Sequence, residues 1–150
     1  MKLEIWFSQW ILGYITSVKN QGSCGSCAAF AATAMHETHL IKAGASSTNM
    51  DLSEQYLVDC AYSEAGAFGC DGASLQVYTN WLAQNGGLTP LETSYPYLDT
   101  APKLNCDTAS TVDKYDSGYK ISAVEYTYSC SEDTLKTVSK ILLWYLEKEE

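Results

Sequence analysis

The stretch QGSCGSCAAF, residues 21–30, carries the reading of the whole chain. Cys24 and Cys27 stand three residues apart in it, with a glutamine just upstream and a run of small residues just after. Three chemistries fit such a pair. The two thiols could be a redox couple, half of a metal site, or one structural thiol beside one reactive one. Upstream lies a mostly polar loop, TSVKNQGSCGS. A helix is expected to open near Ser26 and to run through CAAFAATAMHETHLIKAG. Phe30, Ala31, Ala34, Met35 and Ile41 fall on one side of it at helical spacing, Lys42 suits its last turn, and Gly44 can end it. Cys27 then sits in the first turn, where unpaired N–H groups and the helix dipole favour a thiolate. Gln21 can fold back and donate from its amide beside the Cys27 sulfur. With the Cys27 backbone N–H that makes two donors aimed at one point, an arrangement that stabilises the oxyanion formed when a thiolate attacks a carbonyl.

A cysteine at a helix start is more often a half-cystine or a packed thiol than a nucleophile. Cys-Gly-Ser-Cys before a helix also suits a thioredoxin-like redox site, but that site normally follows a buried apolar strand, and VKNQGS is not one. Cys24, Cys27, Cys60 and Cys70 could supply four zinc ligands. The nine residues between Cys60 and Cys70 are wrong for a second knuckle, so neither a metal nor another cofactor is expected.

The composition sets wider bounds. A chain of 150 residues is one ordinary domain with enough length to bury a core, and 46% hydrophobic against 18% charged residues favours folding. Eighteen acids against nine Lys and Arg give a formal charge of -9, which leaves no basic patch for nucleic-acid phosphates. No apolar run approaches the roughly 18 residues that would span a bilayer. The start, MKLEIWFSQWIL, is interrupted by Glu4 and Gln9 and no small-residue cleavage site follows, so residues 1–12 read as an atypical segment and a poor signal peptide. Six cysteines are many for this length. A cytosolic chain would need a metal or redox use for them, whereas a secreted or vesicular chain would pair them.

Further along, DLSEQYLVDC reads as a second helix, with Ser53 as N-cap, Glu54 and Gln55 in the first turn, and Leu52, Tyr56 and Leu57 buried. AYSEAGAFGCDG is a glycine-punctuated loop. A third helix, ASLQVYTNWLAQ, places Leu75, Tyr78 and Leu82 on one face beside Trp81 and stops at Gly86 and Gly87. Residues 88–117, with Pro90, Pro96 and Pro102, are expected to be loop, and YKISAVEYTY a strand. From Ser131 a last helix is expected, capped by Ser131, with Glu132 and Asp133 at its start and Leu135, Val138, Leu142 and Leu146 along one side. Its acidic end, EKEE, opposes the dipole and hints that the natural chain continues.

VKNQGSCGSCAAF, LSEQYLVDC, GCDGA and SYPY occur in that order. Four motifs in register resemble the papain-like cysteine peptidases of the cathepsin L type, over roughly residues 13–138. The resemblance implies an α+β fold, here the mostly helical left lobe, with the central helix starting at the nucleophile and the right-hand β-lobe largely absent. It implies Cys27 as nucleophile, Gln21 as oxyanion donor, and disulfides joining Cys24 to Cys70 and Cys60 to Cys106. Gly25, Gly72, Ala73, Ser74 and Leu75 would border the substrate, the last two beside the pocket for its second residue. Peptide or protein substrates, a cystatin-like inhibitor, and a lysosomal or secreted location are also implied. Cys130 is left as a partly buried free thiol.

Three departures qualify the resemblance. Ala28 follows the nucleophile where the family has Trp, so packing or access there must differ. The family's CNGG becomes CDGA, residues 70–73, and the Ala73 methyl should weaken the close approach of a substrate backbone. The family's catalytic His lies roughly 130–150 residues beyond the Cys, whereas 123 residues follow Cys27 (150 minus 27), and the histidines present are His36 and His39. His36 is nine positions along the same helix, on the opposite face and more than about 10 Å away, and His39 is further. As a His-x-x-His pair with Glu37 they could bind a metal weakly, but a solvated helix face is expected. SKILLWYLEKEE, residues 139–150, replaces the family's continuation. The expectation is therefore a truncated peptidase that turns over little or nothing and exposes an apolar face. A non-catalytic fragment that binds an inhibitor or propeptide-like partner is one alternative, which Ala28 and Ala73 would suit. A thiol oxidoreductase using Cys24 and Cys27 is another.

Overall fold

The computed structural model describes residues 13–48, 50–62, 66–99, 106, 111–121, 124 and 146–148. Helix α1 spans Cys27–Ala43. It ends where Gly44 turns left-handed (φ 111°), its N–H bonding back to Ile41 O, a conformation that glycine enters without a Cβ penalty. Helix α2, Glu54–Cys60, starts where the Ser53 hydroxyl accepts from the Tyr56 N–H at 3.0 Å, and all seven of its residues are buried. Helix α3, Leu75–Gln84, is capped in the same way by Ser74 on the Val77 N–H and is stopped by the left-handed Gly86 and Gly87.

The remaining elements are short. Strand β1, Thr89–Pro90, pairs antiparallel with β2, Lys114–Tyr115. Strand β3, Tyr119–Ile121, pairs antiparallel with β4, Leu146–Lys148, setting Ile121 opposite Leu146. The architecture is α+β and mostly helical, as the sequence implied.

The core forms where α2 and α3 pack on α1. Ala29 and Ala32 of α1 are fully covered, and their small size lets Tyr56, Leu57, Val58, Tyr78, Trp81 and Leu82 close over them. Tyr56 and Trp81 meet edge to face at 5.4 Å. A second cluster, Leu40, Ile41, Met50 and Leu52, closes the other end of α1.

Several expectations are corrected. The buried band of α1 is Ala29, Ala32, Thr33, His36, Glu37, Leu40 and Ile41, whereas Ala31 and Ala34 are exposed. Alanine fits either environment, so it did not report the face. His36 and Glu37 are interior, not on a solvated face. Glu37 is held there by Thr16, by Lys19 and by the Leu52 N–H. His36 and Ile121 both lie beside Gly87. Leu75 is 41% exposed, because it occupies the first position of α3, ahead of the turn that packs. Residues 88–117 contribute β1 and β2 rather than loop alone. Leu146 lies in a strand, not a helix, because its backbone pairs with β3. Of YKISAVEYTY the strand covers Tyr119–Ile121. Residues 1–12, 125–145 and Cys130 lie outside the described residues.

Candidate active site

The disulfides fix the frame around residues 21–30. Cys24 is bonded to Cys70 and Cys60 to Cys106, each bridge closing 46 residues and stabilising by about 2–4 kcal/mol. Cys27 is a free, exposed thiol at the first position of α1. Cys24 is thus committed elsewhere, and the oxidoreductase alternative, which required a Cys24–Cys27 couple, is overturned. The first bridge also explains Gly25. Its N–H donates to Cys70 O at 3.0 Å, and a Cβ on it would collide with that carbonyl. This close pass brings the Gly72–Ala73 loop beside the turn that carries Cys27.

Gln21 and Cys27 belong to one hydrogen-bonded turn. The Gln21 Nε2 donates to Cys24 O at 2.8 Å, which uses one of its two amide hydrogens. Ser26 is the N-cap of α1 by position, but its hydroxyl does not cap. Ser26 Oγ pairs instead with Tyr97 Oη at 2.6 Å, and Tyr97 Oη donates to Gln21 O at 2.8 Å. Among the described residues no side chain caps the first N–H groups of α1, which leaves the positive end of the helix open at Cys27. Tyr97 is pushed above the usual phenol range chiefly by burial, so it remains a donor at neutral pH.

The residues expected to border a substrate fall into two kinds. Gly72 is left-handed (φ 99°), and Ala73 packs against the core formed by α1–α3. Ser74 and Leu75 are exposed where α3 begins. Ala28 is partly buried on the same core, which includes the wholly buried Tyr78. Burial, then the charges of Cys27 and Tyr97, push the Tyr78 phenol up to about 12.

No described histidine serves Cys27. His36 is buried at the α3 end of the core, and burial, reinforced by His39, lowers it from 6.5 to about 4, so it is neutral. His39 is lowered in the same direction, by burial first. Among the described residues no group of three His, Cys, Asp or Glu is placed to hold a metal ion. Sequence reasoning did not bring Ser26, Tyr97 and Asp99 to this turn, where Asp99 accepts from the Ser23 and Cys24 N–H groups. Tyr97 stood inside the SYPY motif without a role, and nothing local marked the other two.

Comparison with known proteins extends these observations. The profile of the papain family cysteine proteases matches residues 8–141. Procathepsin L of Mus musculus is 44% identical over 86 residues, 57% of this chain and 24% of that protein. Cathepsin L1 of Drosophila melanogaster is 39% identical over 105 residues, 68% of this chain and 27% of that protein. The chain thus spans about a quarter of the length of the curated relatives it matches. The crystal structure of the Carica candamarcensis cysteine protease CMS1MS2 superposes with a TM-score of 0.67 at 26% identity, over 89% of this chain and 57% of that one. The helical layout is that of the left lobe of the papain-like fold. This chain belongs to the papain family of cysteine proteases.

Proposed function

We propose that Cys27 is the nucleophile of peptide-bond hydrolysis and that the turn from Gln21 to Cys27 is its oxyanion site. The supporting observation is the free, exposed thiol at the open N-terminus of α1, with the Gln21 amide tied into the same turn. Sulfur attacks the scissile carbonyl carbon, a C–S bond forms, and the carbonyl electron pair moves to oxygen. The Cys27 N–H and the free Gln21 amide hydrogen receive that charge. Collapse breaks the C–N bond and leaves an acyl-thioester, which water hydrolyses. The departing amine needs a proton. Within these 150 residues neither histidine can deliver it, so this stretch alone turns over little or nothing.

Gly25, Gly72 and Ala73 border the strip along which a peptide backbone lies, and Ser74 and Leu75 flank the pocket for its second residue. Peptides or proteins are the substrates, a cystatin-like inhibitor competes for the same face, and the two disulfides suit a lysosomal or secreted setting.

A peptide aldehyde tests the nucleophile without requiring turnover, since thiolate addition to it forms a hemithioacetal oxyanion. The native chain should capture it and Cys27→Ser should not. Equal capture by both, or none by either, overturns the assignment. Robust peptide hydrolysis by the native chain, abolished in Cys27→Ser, would overturn the statement about the missing proton carrier.

A further inference from the structure

Asp99 is the one residue other than glycine with a left-handed backbone among the described residues, at φ 51°. Such a conformation costs free energy for a residue with a Cβ and persists where the surroundings hold it. Its neighbours hold it. Asp99 Oδ1 accepts from the Ser23 N–H at 2.7 Å, the Cys24 N–H at 2.9 Å and the Ser23 hydroxyl at 3.2 Å. Gly22, itself left-handed at φ 62°, makes room for it, since a Cβ there would land on the Asp99 carboxylate.

The bonds continue toward the reactive atoms. Asp99 grips the N–H of Cys24, and the C=O of Cys24 accepts from Gln21 Nε2 at 2.8 Å and from the Ser26 N–H at 2.8 Å. One residue thus carries restraint from Asp99 to the Gln21 amide on one side and to the residue before Cys27 on the other. The Cys24–Cys70 bridge fixes the side chain of Cys24, and the Gly25 N–H bond to Cys70 O holds the peptide plane after it. The plane before it is held by the carboxylate, through the Cys24 N–H.

We propose that Asp99 is a positioning residue of this site: through Ser23 and Cys24 it sets the backbone of the turn and thereby aims the Gln21 amide and the Cys27 N–H at the oxyanion. This rests on the reading of Cys27 and Gln21 given above. Asp99 touches no reacting atom. Its role depends on the acceptor oxygen and not on the charge, which would oppose an oxyanion nearby. Because the carboxylate is exposed, water competes for it and the effect is moderate.

Two variants test this. Asp99→Gly keeps the left-handed backbone free of strain and removes the acceptor, whereas Asp99→Asn keeps both the acceptor and the tolerance of that conformation. Two readings are made on each: affinity for a peptide aldehyde, which needs the oxyanion site, and the rate at which a small disulfide reagent, which forms no oxyanion, modifies Cys27. Asp99→Gly should bind the aldehyde about fivefold more weakly, the equivalent of one net hydrogen bond, with the disulfide rate unchanged. Asp99→Asn should restore the affinity. Equal aldehyde affinity in native and Asp99→Gly proteins overturns the inference alone. Equal losses in both readings also overturn it, because they would show a general loosening of the turn. No capture by the native chain overturns the reading of Cys27, and this inference with it.

Discussion

The two ends of the polar network around α1 are built on different principles. At the N-terminal end, neutral groups and one exposed carboxylate hold backbone atoms within a turn of seven residues: Gln21 on Cys24, Tyr97 on Gln21, Asp99 on Ser23 and Cys24. In the interior, one ammonium holds three carboxylates from distant parts of the chain. Lys19 Nζ lies 3.3 Å from Glu37, 2.6 Å from Asp51 and 2.8 Å from Glu54, and it also donates to Leu52 O at 3.1 Å. Glu37 and Glu54 are almost wholly buried. The first arrangement orders a short turn at small energetic risk. The second ties the N-terminal strip, α1 and α2 together, and it fails badly if one member is lost.

Removing the shared cation should break the contrast most visibly. Lys19→Met leaves Glu37 and Glu54 buried without their counter-charge, and breaking a buried pair in this way costs about 3–5 kcal/mol. Asp99→Gly, at the exposed end, should cost less than about 1 kcal/mol. Urea unfolding of both variants measures the two numbers side by side. Similar losses would mean that the buried cluster is no more decisive than the surface turn.

The interior also writes a pH dependence that the site turn does not. Burial, more than the surplus of neighbouring carboxylates, pushes Glu54 from 4.5 up to about 7, against the pull of Lys19. Lys19 itself is raised, since its three carboxylates outweigh its burial, and it stays charged throughout. An acid raised on folding holds more protons folded than unfolded between about 4.5 and 7, so Glu54 takes stability away as pH rises through that window. His36, lowered from 6.5 to about 4, holds fewer protons folded than unfolded, so it takes stability away as pH falls through about 6.5 to 4. The slopes oppose and nearly cancel between about pH 4.5 and 6.5. Glu54→Gln should therefore leave a protein that gains on the order of 2 kcal/mol from pH 4.5 to 6.5, and His36→Leu one that loses a similar amount. Stability profiles parallel to the native one in both variants would remove these two groups from the balance.

How much of this was legible follows the same division. The helix starts near Ser26 and at Ser53, the glycine stops and the placing of Cys27 are set by near neighbours, and the sequence carried them; the third helix was read from Ala73, one residue before its Ser74 cap. So did the likeness of four ordered motifs to the papain family. The buried face of α1 was not legible, because its interior is partly polar: Thr33, His36 and Glu37 are buried while Ala31 and Ala34 are not. A charged residue reads as a surface residue until its partner is known, and Lys19 is 18 positions from Glu37 and 35 from Glu54. Asp99 was hidden for the same reason, 75 positions from the Cys24 N–H that it accepts from. Leu146 followed a helical spacing, but strand pairing with residues 25 positions earlier decided its conformation.

The smallest expected effect belongs to the group that fits neither end. Tyr78 is fully buried, and its hydroxyl has no hydrogen-bond partner among the described residues. Glu37 and Glu54 share Lys19, and Asp59 accepts from Gln55 and Tyr95, so this oxygen differs from the buried carboxylates of the core. An unpartnered buried hydroxyl carries a desolvation cost that nothing returns. Tyr78→Phe removes that oxygen and keeps the ring that fills the space over Ala29 and Ala32. Stability should be unchanged or should rise by up to about 1 kcal/mol, read as the shift of the urea midpoint at constant slope. A loss of more than about 1 kcal/mol would mean that the hydroxyl has a partner after all, in the manner of a buried water. It would also place Tyr78 with the paired groups of the turn and not with the apolar filling of the core.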